Sequence, residues 1–141
     1  MATVELRFSA QPEHVRTARL VAAAVARRAG VEEALLDEVR LAVGEACSRA
    51  VGLHLAHGVT APVRVALTED EKLFSIEVGD EVLVVPPASP AGSAAEVEAE
   101  GEDEMGLAVI RGLVDDVEVG SDASGGVIRM SWPTYAVSDL P

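Results

Sequence analysis

In the stretch Val43-Gly-Glu-Ala-Cys-Ser-Arg-Ala-Val-Gly52 a carboxylate and a guanidinium stand four residues apart in an otherwise small, apolar run. Residues at that spacing share one face of a helix, so Glu45 and Arg49 form either a surface ion pair or the remnant of a site. A guanidinium beside a carboxylate lowers its proton affinity and blunts it as a base. Two histidines follow, His54 and His57, three residues apart. No cysteine or further histidine completes a zinc ligand set, so no metal is expected and the pair reads as surface or helix-end residues. Cys47, the single cysteine, cannot form an internal disulfide and reads as a small core filler, in keeping with a reducing cytoplasm. The acidic run Glu96, Glu98, Glu100, Glu102, Asp103 and Glu104 has the composition of a solvated linker.

The elements that must carry these residues follow from periodicity. Val4, Leu6 and Phe8 alternate in a strand over residues 3–8. After Pro12, Val15, Ala18, Ala22, Val25 and Ala29 recur at spacings of three and four, and Gly30 stops that helix. A second helix starts near Glu32, with Leu36, Val39, Val43, Ala46 and Ala50 as its core stripe and Glu45 and Arg49 off it. Val63, Val65 and Leu67, then Phe74, Ile76 and Val78, form a hairpin joined at Glu69-Asp70-Glu71. Residues 86–104 lose all periodicity and are rich in Pro, Ala, Gly and Glu, a flexible acidic loop. A short helix from Met105, a strand through "DDVEVGS", a turn at "DASGG" and a last strand "VIRMSW" complete the order. This predicts one α+β domain over residues 1–134, a two-layer sandwich of a mostly antiparallel sheet covered by about three helices, with 135–141 as a loose tail.

Composition narrows the partners. The 141-residue chain carries a formal charge of −13, and its arginines are scattered singly apart from Arg27-Arg28, so nucleic acid is excluded as a direct partner. No apolar run reaches the roughly 18 residues of a membrane span, and the opening residues show no basic stretch followed by a hydrophobic one, so no signal peptide is expected. A cytoplasmic protein with a basic protein partner is the expectation.

The order of elements, together with "RLAVGEACSRAV" on the second helix, "IEVGDEV" closing the central hairpin and "DEMGLAVIRGLVDDVEVGSDASGGVIRM" near the end, resembles the RsbW/SpoIIAB-type anti-sigma factors. These are serine kinases on the histidine-kinase-like (GHKL) ATPase fold. The resemblance covers Thr3 to Trp132 and is strongest from Gly106 to Arg129. It implies that Glu45 stands at the general-base position and Arg49 where an Asn would hold Mg²⁺. It also implies that Asp80 stands where an Asp would bind the adenine amino group, and Gly106 and Leu107 in the phosphate cradle.

Three departures point away from ATP. A guanidinium offers magnesium no oxygen. Val82-Leu83-Val84 replace a Gly-Pro-Gly run, filling space where a backbone should approach the ligand. Glu104 replaces the first cradle glycine, and the acidic loop would act as a lid that repels a triphosphate. The resulting expectation is a regulator that binds a sigma factor and/or a STAS-type anti-anti-sigma protein without phosphorylating it, with no cofactor. The alternative is an active ATP-dependent serine kinase acting on a STAS partner, in which Arg49 grips the phosphates directly. The resemblance further implies a homodimer around the N-terminal strand and helix, and Arg16 and Arg19 as partner contacts.

Overall fold

The computed structural model describes residues 2–82 and 105–134. The expected acidic loop at 86–104 and tail at 135–141 lie outside the described residues. In chain order the elements are β1 (Ala2–Phe8), α1 (Pro12–Ala29), a 3-10 turn (Glu33–Leu35), α2 (Leu36–Ala56), β2 (Val63–Glu69), β3 (Leu73–Gly79), α3 (105–113), β4 (Asp116–Ser121) and β5 (Gly126–Pro133). The five strands form one sheet in the order β1-β2-β3-β5-β4, and every neighbouring pair is antiparallel. With three helices this is the α+β sandwich the sequence predicts.

Strand alternation fixes which face meets the helices. Val4, Leu67, Ile76, Met130 and Val117 lie in register across all five strands, and Leu6, Val65, Val78, Ile128 and Val119 make the next such row. The central members of both rows are buried. Fully burying side chains of this size stabilises by about 1.5–3 kcal/mol each. Against these rows pack Ala18, Ala22 and Ala26 of α1, Val39, Val43, Ala46 and Ala50 of α2, and Ile110 of α3. The small residues let α1 and α2 approach closely. Gly44 marks one crossing, where an added Cβ would meet the Arg19 Cδ at 3.0 Å. Trp132, buried on β5, donates its indole N–H to Glu38 of α2 at 3.1 Å, so the polar edge of the only tryptophan is satisfied.

Both long helices end where glycine permits a left-handed residue. Gly30 has φ 99° and Gly58 φ 63°. At each end the following residue closes a six-to-one bond, Val31 N to Ala26 O at 3.0 Å and Val59 N to His54 O at 2.8 Å, which satisfies carbonyls the helix leaves open. These stops set where β2 begins and hence which side chains reach the C-terminal end of β3. No helix among the described residues is long and apolar enough to cross a membrane.

Candidate functional site

Asp80 follows the last residue of β3 and is buried. Its main chain continues the sheet for one further bond, Asp80 N to Gly126 O at 3.0 Å. Its Oδ1 accepts two backbone N–H groups, from Val82 at 2.9 Å and Gly126 at 3.2 Å. Oδ2 lies 3.7 Å from Nη1 of Arg49, and the two side chains are 3% and 13% exposed. Where the spacing offers Glu45 on the same helix, Arg49 forms an ion pair with Asp80, across the core. The physical reason is packing: α2 lies on β3, so residue 49, on the flank of the stripe, projects toward the end of that strand. Burial lowers the proton affinity of Arg49, and the Asp80 charge opposes that shift.

The β4–β5 turn closes over the same carboxylate. A Cβ at Gly126 would stand 2.7 Å from Asp80 Oδ2, and one at Gly125 would stand 2.2 Å from the Asp80 carbonyl oxygen. Only glycine lets the turn come this near. The turn is held by Asp122, whose Oδ1 accepts N–H bonds from Ser124 at 2.8 Å and Gly125 at 3.1 Å. Those bonds keep its carboxyl below the usual carboxylate range, Ser124 contributing most. On the other side Val82 is buried, so a branched side chain occupies space beside Asp80. Leu83, Val84 and Glu104 lie outside the described residues.

Glu45 is half-buried, and its Oε2 lies 3.9 Å from where a Cβ of Gly106 would stand. The expected base position thus sits against the start of α3, with Gly106 buried and Leu107 half-buried at the core edge. Arg16 and Arg19 are both exposed on α1, Arg19 laying its aliphatic stem over Gly44 beside Glu45. The structure therefore joins Arg49, Asp80 and Gly126 in one cluster and Glu45 with Gly106 in another.

His54 lies in the last turn of α2, in line with the helix-end alternative, and not at the surface. It is fully buried, with Nδ1 2.9 Å from the Ala61 carbonyl oxygen and Nε2 2.9 Å from Glu81 N. A carbonyl can only accept, so Nδ1 carries the proton and Nε2 accepts the Glu81 N–H; the ring is the neutral Nδ1–H tautomer. It pins the chain next to Asp80. Cys47 is buried as expected, and burial pushes its thiol up to about 12.

Residues 8–132 match the histidine kinase-like ATPase domain. The chain belongs to that family. It is also similar to curated relatives named serine-protein kinase RsbW, at 27% identity over 140 residues in Oceanobacillus iheyensis, covering 91% of this chain and 84% of the relative. The Bacillus subtilis protein of that name is 27% identical over 137 residues and the Bacillus pumilus one 29% over 136, each match covering 91% of this chain and 83% of the relative. The resemblance read from the motifs is thus that of an RsbW-type chain on the histidine kinase-like fold.

Proposed function

We propose that this histidine kinase-like domain is an anti-sigma-type regulator that sequesters a sigma factor, or engages a STAS-type anti-anti-sigma protein, without transferring phosphate. The observation that carries the reading is the Arg49–Asp80 ion pair at 3.7 Å in a buried setting. An adenine amino group needs a free carboxylate oxygen at Asp80. Here one oxygen is held by two backbone N–H groups and the other faces a guanidinium. The residues present do not fit a magnesium nucleotide: Arg49 has donors only, and a fixed positive charge stands where a divalent ion would be held. Phosphoryl transfer depends on positioning and charge neutralisation of the phosphates, and an arginine at the magnesium position works against both.

Relatives named as serine-protein kinases give the second reading, an active kinase, and Glu45 beside Gly106 is the observation on its side. One experiment separates them. The purified protein is incubated with γ-labelled ATP, Mg²⁺ and a STAS partner captured from the native cell, while complex formation is followed by gel filtration. The proposal expects a stable complex and no label on the partner. Label appearing on a partner serine would transfer the assignment to the kinase.

A further inference from the structure

Arg7 of β1 and Arg64 of β2 are direct partners in the antiparallel register, on the sheet face turned away from the helices. Like charges opposite one another in a sheet are destabilising, so the pair calls for a counter-anion. The carboxylates that approach it are exposed: Glu5 Oε1, 3.0 Å from Arg7 Nε, and Asp122 Oδ2, 3.8 Å from Arg64 Nη2. Each touches one arginine only. The same row of the sheet continues through Gly79, Val127 and Gly120, so beyond the two guanidinium groups the surface is a trough with a mostly glycine floor. A small solvent-open cleft of about 90 Å³ lies here, bounded by Arg7, Pro62, Arg64, Gly79, Glu81 and Ser124. Arg64 lies over Gly79, where an added Cβ would meet its Nη2 at 3.0 Å.

We propose that this cleft is an oxyanion-binding site that takes a phosphate- or sulfate-like dianion between Arg7 and Arg64. The planar donor fork of arginine matches such an anion geometrically and gives the stronger, charge-assisted class of hydrogen bond. A dianion meets both guanidinium groups at once and so displaces Glu5 and Asp122, each of which meets one. Asp122 can release Arg64 without loosening its turn, because it holds Ser124 and Gly125 through Oδ1 and faces Arg64 through Oδ2. Gly79 and Glu81 flank Asp80, and successive residues of an extended chain point to opposite faces. The cleft is therefore on the far side of the strand end from the Arg49–Asp80 cluster.

The test is a ¹⁵N-resolved titration of the full chain with sodium phosphate, against sodium chloride at matched ionic strength. Saturable shifts are expected at the Gly79 and Ser124 amides and at the Nε of Arg7 and Arg64, with the chloride series flat. Arg7→Ala and Arg64→Ala should each weaken binding at least about tenfold. Arg64→Lys keeps the charge and loses the fork, so it should weaken binding by a smaller factor. Gly79→Ala keeps both charges and pushes Arg64 from its seat, so it should weaken binding too. Shifts that do not saturate, or equal affinity in the folded Arg7→Ala/Arg64→Ala double variant, would overturn the assignment.

Discussion

Replacing Arg49 by methionine keeps most of the side-chain volume and removes one partner of a buried ion pair. At 3.7 Å and an effective dielectric near 20, the attraction between Arg49 and Asp80 is about 4–5 kcal/mol. Desolvating the two charges costs a comparable amount, so the pair itself contributes little net stability. The cost of the substitution lies in what it leaves behind. Asp80 would remain buried with its two N–H donors on Oδ1 and an uncompensated charge, which predicts a loss of about 2–4 kcal/mol. Asp80→Asn keeps a side-chain oxygen for those N–H groups and removes the negative charge that faces the guanidinium, for a loss of about 1–3 kcal/mol. The double variant removes both charges of the pair, so its loss should fall short of the sum by about 1.5–3 kcal/mol. Urea unfolding at pH 7, followed by circular dichroism, measures all four corners, and urea leaves the electrostatics unscreened. Additivity within about 0.5 kcal/mol would refute the coupling, and with it the claim that Arg49 satisfies Asp80.

Gly126→Ala drives a Cβ to 2.7 Å from Asp80 Oδ2 and should lower the urea midpoint by an amount equivalent to about 1–3 kcal/mol. An unchanged midpoint would show that the turn is not seated on Asp80. His54→Leu leaves the Ala61 carbonyl and the Glu81 N–H without their ring partner and should cost about 2–4 kcal/mol, with faster amide exchange at Glu81 as a local readout. The Cys47 thiol is raised from 9.0 to about 12 by burial, so the folded state keeps a proton that the unfolded state sheds. Its stabilisation is intact below pH 9 and declines as pH rises from 9 toward 12. Wild type should therefore lose about 1 kcal/mol more than Cys47→Ala between pH 9 and 10, and parallel unfolding curves across that range would contradict this.

Much of the architecture was open to reading because each element buries one face. Val63, Val65 and Leu67 alternate and are buried in a row with their neighbours, and the stripe of α2 from Leu36 to Ala50 meets the sheet as its spacing demands. That stripe runs on through Ala50 to His54, one turn later, so the burial of His54 had a signal in the spacing. The pairing of Arg49 with Asp80 had no such signal. Spacing along a helix reports local neighbours and favours Glu45, whereas Asp80 arrives through the packing of α2 on β3, which no short window contains. The same holds for Arg7 and Arg64, whose register is set by strands that two helices separate in the chain. The Gly125-Gly126 doublet was visible as a turn, and only its approach to Asp80 explains why both residues lack a side chain.

The central claim is that Asp80 is already engaged from within the protein, by Arg49 and by its own backbone neighbours. Isothermal titration with ATP, in the presence and absence of Mg²⁺, tests it most directly. No Mg²⁺-dependent saturable heat is expected, whereas Mg²⁺-dependent binding in the micromolar range would contradict the claim.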